Sequence, residues 1–229
     1  MALPAEDFMS TTSNPRSDSK EVLSYDATRM VLAAHPRRLA DALDSRLSAP
    51  VVRRLQSCAR LHDRIAPLLI QQQGGGSNDA PADDAIGLAE RRATFERLFQ
   101  ADLKEASSFA GAAWHAQSLR QMIRGRDVAD LIAQIGQRAH AFGLRRDGVA
   151  PALRSVAPGI LAERIARDGY ACLYVWFSSL PPPMRQQLHV RLPPESASYP
   201  EWSDAEQSLA LGLMDPVLSE LDGSTNASE

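Results

Sequence analysis

The residues that decide the fold are 160–180, ILAERIARDGYACLYVWFSSL, the most hydrophobic segment of the chain. Apolar side chains such as Cys172 and Trp176 recur there at helical spacing, and the last part of the segment is apolar nearly all round. A helix that is apolar on every side is buried in a soluble protein. We therefore expect 160–180 to be the central helix of the core, ended by the prolines at 181–183.

Helical spacing continues on the N-terminal side of this segment. Leu88–Phe109 is predicted to be one long helix that Gly111 ends. His115–Arg124 is predicted to be a short helix whose apolar edge includes Ile123. Gly125 then provides a C-terminal stop, since glycine commonly follows the last helical residue.

The remaining patterns are helical as well. Asp127 is predicted to begin a helix that ends at Gly143. Ser203 with Glu206 three residues later forms a capping box, which starts a final helix toward Leu221. Runs with strand character are short throughout the sequence. The sequence therefore predicts an all-α protein, a compact helical domain of about seven to nine helices.

Three polar stretches interrupt this pattern. Residues 1–24 lack periodicity and are predicted to be a disordered arm, and 222–229 a disordered tail. Residues 71–84 contain three consecutive glycines and are predicted to be a flexible loop. They lack the Gly-Lys-Ser/Thr of a phosphate-binding loop. The helical domain is therefore predicted to span 25–221.

Composition limits the function. The 229 residues are 44% hydrophobic and carry a formal net charge of −3, so nucleic acid is a poor default partner. No run of about 18 apolar residues occurs, so we expect no direct membrane insertion. Glu6 and Asp7 stand where a signal peptide needs positive charge, so we expect a cytoplasmic protein.

Catalytic and metal-binding patterns are missing from the sequence. The five histidines are isolated, with none at zinc spacing, and no Gly-x-Ser-x-Gly elbow occurs. Cys58 and His62 form an i, i+4 pair that could activate a thiolate, the basis of an alternative hypothesis of a small helical enzyme. Both lie on the same apolar stripe as Leu55 and Ile65, which favours a place in the core. We therefore expect no enzymatic activity, no cofactor and no metal.

Several short segments together resemble one family, the type III secretion accessory proteins called YscK or PscK, SctK in the unified naming. The similar segments, in chain order, are residues 30–39, MVLAAHPRRL; 114–120, WHAQSLR, through 141–144, AFGL; 169–180, GYACLYVWFSSL; and 187–193, QLHVRLP. They span roughly residues 26 to 221.

The resemblance implies a non-enzymatic cytosolic adaptor of the injectisome sorting platform, peripheral to the inner membrane through the secretion apparatus. Its implied partners are the SctQ-like pod protein and the cytoplasmic domain of the SctD-like inner-membrane ring protein. The alternatives are a cytosolic chaperone or regulator of the same apparatus and, from another class, a nucleic-acid binder that uses the arginine doublets.

No short family motif marks an interface, so candidate residues come from the sequence itself. Arginine is common in protein interfaces because its planar fork pairs with carboxylates. We expect docking at two polar helix ends, which contain His35, Arg37, Arg38, Arg120, Arg124, Arg126, Asp127 and Asp130. A solvated surface with salt bridges is the alternative interpretation of these charges.

Overall fold

The computed structural model describes residues 26–72, 85–146, 156–194 and 202–225, and these ranges hold thirteen α-helices and no strand. The all-α prediction is confirmed. The helices outnumber the predicted seven to nine because short breaks divide several predicted segments. The arm 1–24, most of the loop 71–84 and the last four residues lie outside the described ranges.

The first four helices form a small lobe around an apolar cluster of their own. They are α1 Ala27–Ala33, α2 Pro36–Leu43, α3 Ala49–Gln56 and α4 His62–Gln72, the last preceded by a 3-10 turn at Ala59–Leu61. The cluster contains nine buried side chains, all aliphatic: Met30, Val31, Ala34, Leu39, Val52, Ile65, Ala66, Leu69 and Val190. Only Val190 comes from outside residues 26–72.

Local signals explain where these helices begin. The Asp26 side chain accepts a hydrogen bond from the backbone N–H of Arg29 at 3.0 Å, which caps α1. Pro36 occupies the first position of α2, where its missing N–H costs nothing. Pro67 lies inside α4, which continues through it to Gln72.

The predicted apolar stripe through Leu55, Cys58, His62 and Ile65 is wrong in part. The stripe assumes one continuous helix, whereas α3 ends at Gln56 and a 3-10 turn precedes α4. Leu55 and Cys58 are therefore only partly buried, whereas His62 and Ile65, which both lie on α4, are buried.

The other nine helices form a larger lobe. They are α5 Ala85–Gln100, α6 Leu103–Trp114, α7 Ala116–Gln121, α8 Gly125–Ile135, α9 Gln137–Arg145, α10 Pro158–Ser178, α11 Pro182–His189, α12 Asp204–Gly212 and α13 Met214–Thr225. The prediction of a central helix is confirmed, because α10 packs against α6, α8, α11 and α12. Trp176 is fully buried on α10, and its indole N–H donates to the carbonyl of Ala210 on α12.

Glycines bring α6 and α10 into backbone contact. A Cβ on Gly111 would lie 1.9 Å from the carbonyl oxygen of Ile165, and a Cβ on Gly169 would lie 1.9 Å from that of Ser107. Gly143 on α9 approaches the backbone of Ala112 in the same way. Gly111 and Gly143 were predicted to end helices, and that prediction is wrong because both lie inside helices at close crossings.

The actual breaks have other causes. The predicted 88–109 helix is divided at Asp102. The Asp102 side chain accepts a hydrogen bond from the backbone N–H of Lys104 at 2.8 Å, which caps the start of α6. Gly125 begins α8 and does not end α7. Gly136, with a φ of 88°, separates α8 from α9, since that backbone conformation favours glycine.

The C-terminal helices begin and end close to their predicted positions. The capping box is confirmed: the Ser203 side chain accepts from the Glu206 backbone N–H, and the Glu206 carboxylate accepts from the Ser203 N–H. The last helical segment is divided at Leu213, and Pro216 then lies in the first turn of α13, where it is tolerated. The helix extends to Thr225, four residues beyond the predicted end at Leu221.

Candidate functional site

The predicted docking residues lie in two separate places. His35, Arg37 and Arg38 lie where the small lobe meets the larger one, a region we call the joint. Residues 120–130 comprise the end of α7, the turn that follows it and the first half of α8, a region that we call the corner.

Backbone carbonyls after α11 bind the small lobe at the joint. The backbone N–H of His35 donates to the carbonyl of Val190 at 2.8 Å. Arg38 donates from Nε to the carbonyl of Leu192 at 2.6 Å and from Nη2 to that of Pro193 at 3.2 Å. The Arg38 guanidinium is therefore engaged inside the chain, while Arg37 is exposed.

Two further arginines complete the joint, and neither was predicted from the sequence as a site residue. Arg191 donates to the carbonyls of Leu98, Phe99 and Ala101 at 2.8, 2.6 and 2.9 Å, which caps the C-terminal end of α5. Arg29 binds the Glu96 carboxylate through two hydrogen bonds of 3.0 and 2.6 Å. Its guanidinium also lies 3.8 Å from the centre of the Phe99 ring, so α1 is held against α5 by both charge and a cation–π contact.

A histidine lies beside these contacts. The His189 ring stacks on Tyr174 with 4.7 Å between ring centres. Burial and, to a smaller extent, the nearby positive charge of Arg38 together lower the pKa of His189 to about 4. The joint therefore contains a neutral imidazole near neutral pH.

The corner presents an apolar side chain to solvent. Ile123 was predicted to belong to the apolar edge of a helix, and this is wrong, since α7 ends at Gln121 and the Ile123 side chain is 92% exposed. Met122 and Arg124 both have extended backbone. The chain therefore runs as a short extended turn with Ile123 at its tip.

Charged residues lie on either side of that tip along the chain. Arg126 and Asp130 approach to 3.9 Å with 91% and 68% exposure, a weak pair by geometry. Asp127 lies in the first turn of α8, where a carboxylate offsets the positive end of the helix dipole. Arg120 donates to the Leu144 carbonyl at 2.9 Å and fastens α7 to the end of α9. The structure thus brings together the four charged residues predicted between 120 and 127, and Asp130.

The anchoring of the corner makes it a fixed surface. Leu131 of α8 is 2% exposed, and α8 packs against both α9 and α10. An apolar side chain flanked by arginines on a rigid support has the composition of an interface anchor.

A buried contact between a histidine and a carboxylate joins the turn after α6 to the central helix. His115 Nε2 lies 2.8 Å from Asp168 Oδ2, with side-chain exposures of 3% and 8%. Arg167 also donates to the Asp168 carboxylate, at 2.8 Å. Burial alone raises the pKa of Asp168, but the bonds from His115 and Arg167 outweigh it, so the pKa is lowered. The isolated Asp168 within an apolar helix is the sequence signal for this pair.

The thiol–imidazole pair has a different geometry from the one its spacing predicts. His62 Nε2 lies 2.9 Å from the carbonyl oxygen of Gln56. Cys58 lies in the break between α3 and the 3-10 turn, not on a continuous helix with His62. Among the described residues, no three histidine, cysteine or acidic side chains are grouped as metal ligands. None of the described helices is long and apolar enough to cross a membrane.

Comparison with known proteins identifies relatives of this chain. Two proteins named nodulation protein NolU, from Sinorhizobium fredii and from Rhizobium fredii, are each 38% identical to it over 192 residues. The aligned region covers 81% of this chain and 85% of each relative. No family model and no solved structure matches the chain. At this identity and coverage, the chain belongs to the family of nodulation protein NolU, an SctK-like family associated with type III secretion.

Proposed function

We propose that this protein is an adaptor of a type III secretion system. It would link the SctQ-like pod protein to the cytoplasmic domain of the SctD-like inner-membrane ring protein, without enzymatic activity of its own. Two features support the proposal: membership of an SctK-like family and a surface with a rigid docking feature. We further propose that it acts in the cytoplasm, at the inner face of the secretion apparatus.

The exposed Ile123 is the observation that carries the docking argument. Its side chain is 92% exposed, against 54% or less for every other large apolar side chain that is exposed in the described residues. Burying such a side chain in a partner's apolar pocket would stabilise a complex by about 2 kcal/mol. The side chain protrudes, so it fits a concave surface on the partner.

The charges beside Ile123 define the rest of the contact. Arg124 and Arg126 flank it on the exposed side of the turn. Among the residues that the structure describes, Arg126 has only the long contact to Asp130, so its guanidinium can reorient toward a carboxylate of a partner at small cost. The pocket we propose on the partner is therefore apolar at its base and acidic at its rim.

The test is co-purification of this chain with the pod protein and, separately, with the cytoplasmic domain of the ring protein from the same gene cluster. Ile123→Ser, and Arg124→Glu combined with Arg126→Glu, are expected to weaken binding of one partner at least tenfold. Leu32→Ser is the matched control, since Leu32 is 54% exposed on α1 of the small lobe, whereas the corner belongs to the larger lobe.

The outcomes separate the candidate functions. Loss of one partner in the corner variants, with the control unchanged, supports the adaptor. If wild-type protein binds neither partner, the adaptor proposal fails, and a chaperone or regulator of the apparatus becomes the better hypothesis. Binding that is equal in all variants would remove the corner from the interface.

A further inference from the structure

The small lobe has an arginine-rich outer surface that the joint and the corner do not use. Arg60, Arg64 and Leu68 follow one another at intervals of four residues along the 3-10 turn and α4. Arg53 and Arg54 lie in the last turn of α3, just before that turn. We call this surface, together with Val51, the α3–α4 face; all six side chains are exposed.

Pairing within the chain does not account for these arginines. In the larger lobe, Arg97, Arg138 and Arg145 are each paired with an acidic side chain. None of the four guanidiniums of the α3–α4 face makes a hydrogen bond or ion pair with the residues described in the structure. They are therefore available to an external anion.

Interaction with the helix dipole explains the positions of only two of the four arginines. Arg53 and Arg54 lie at the C-terminal end of α3, where positive charge interacts favourably with the helix dipole. Arg60 and Arg64 lie in the first two turns of the helical stretch that starts at Ala59, where positive charge is unfavourable. The stability of the small lobe therefore does not account for the presence of arginine at positions 60 and 64.

The composition of the lobe indicates the class of ligand. Residues 26–72 contain eight arginines and four aspartates, a net charge of +4, with no lysine and no aromatic residue. Single-stranded nucleic acid is usually held by aromatic stacking together with positive charge, and such stacking is absent from this segment. The arginine fork suits carboxylates, and the half-exposed Val51 and Leu68 add apolar contact area.

We propose that the α3–α4 face binds an acidic amphipathic helix of a partner protein. Carboxylates one turn apart on that helix would meet Arg60 and Arg64, and an apolar residue would pack on Leu68. The surface lies on the small lobe, whereas the corner lies on the larger lobe, so the two could be occupied at once. The identification of the partner as a component of the secretion apparatus rests on the proposed function. The proposed chemistry of the partner does not rest on it.

The test uses a designed probe as well as the two apparatus proteins. The probe is a fluorescent 20-residue helix with glutamates on one face and leucines on the other, and its counterpart has lysines in place of the glutamates. Full-length wild-type protein is compared with Arg60→Glu combined with Arg64→Glu. Arg164→Glu is the control, because Arg164 is exposed on α10 and has no partner among the described residues.

We expect the acidic helix to bind the wild type and the control equally, and the double variant at least tenfold more weakly, with affinity that falls as salt increases. The lysine helix should not bind. Equal affinity for all three proteins, or no binding to the wild type, overturns the proposal. So does tighter binding to single-stranded DNA, to vesicles with anionic lipid, or to a second copy of the chain.

The apparatus proteins separate this proposal from the proposed function. If the acidic helix binds as expected but neither apparatus protein does, the α3–α4 face stands and the adaptor role fails. If both apparatus proteins bind and the double variant binds each as the wild type does, the adaptor role stands and the α3–α4 face is not its docking surface.

Discussion

The two lobes of this protein are stabilised in different ways. The larger lobe contains every described aromatic side chain and is built around the close crossing of α6 and α10. The small lobe has a core of aliphatic side chains only and is held against the larger one by hydrogen bonds from arginines to carbonyls and by an ion pair. The difference indicates that the larger lobe can fold on its own apolar burial, whereas the small lobe depends on its docking.

The largest expected effect tests the α6–α10 crossing. Gly169→Ala places a Cβ 1.9 Å from the carbonyl oxygen of Ser107, so the helices must separate. We expect a loss of about 3 kcal/mol or more in the free energy of unfolding, measured by urea denaturation. Gly159→Ala in the first turn of the same helix has open space around it and is expected to be neutral or slightly stabilising. Equal effects of the two substitutions would contradict the close crossing.

The next largest effect on stability is expected when the pH is lowered and His189 becomes protonated. Its lowered pKa means that the folded protein favours the neutral ring, so this stability is complete above the ordinary pKa of 6.5 and is lost as the pH falls toward about 4. The lowering of the His189 pKa on folding corresponds to about 3 kcal/mol in the free energy of unfolding. Because His189 lies at the joint, hydrogen exchange should show the small lobe losing protection first at pH 4.5.

The matched comparison for acid uses two histidine variants. His189→Gln removes the titrating ring and should flatten the pH dependence of small-lobe protection. His140→Gln removes a histidine of the larger lobe whose pKa is also lowered by burial, and it should leave that dependence unchanged. An acid response of the small lobe that is the same in both variants would show that His189 is not its source.

A smaller effect is expected from Arg38→Met. The substitution removes the hydrogen bonds to the Leu192 and Pro193 carbonyls, at a cost of about 2 kcal/mol for bonds from a charged donor. Hydrogen exchange should speed up in α1–α4 and stay unchanged in α6 and α10. Arg164→Met is the control. Uniform acceleration across both lobes would mean that the lobes unfold as one unit.

The smallest effect on stability is expected at the two docking surfaces. Ile123→Ser and Arg64→Glu remove side chains that contribute little to packing or pairing. Each should change the free energy of unfolding by less than about 0.5 kcal/mol, as measured by thermal or urea denaturation. A larger loss would show that these residues support the fold, and would weaken their assignment to binding.

Much of the fold follows from local patterns. The central helix α10 and the capping box at Ser203 depend on residues close in sequence, so their positions were predicted correctly. The roles of Gly111 and Gly143 were not predicted correctly, because these glycines are required by the approach of a second helix and not by a local turn. Sequence spacing does not record which helices cross.

The candidate site likewise combines segments that could be identified from the sequence with contacts that could not. The segments 30–39 and 187–193 were both identified as similar to the SctK family, but nothing in either shows that Arg38 binds the carbonyls of Leu192 and Pro193. That contact joins residues about 154 positions apart. Ile123 was misplaced because helical spacing continues past Gln121, where α7 ends. The corner and the joint therefore became distinct only in three dimensions.

We propose that this protein links two components of the secretion apparatus. The most direct measurement is the mass of the complex formed when it is mixed with the pod protein and the cytoplasmic domain of the ring protein, by size-exclusion chromatography with light scattering. We expect a complex that contains all three proteins, and no association of the two partners without this chain. Competition between the partners for this chain, or a mixture in which neither binds it, would rule out a linking role.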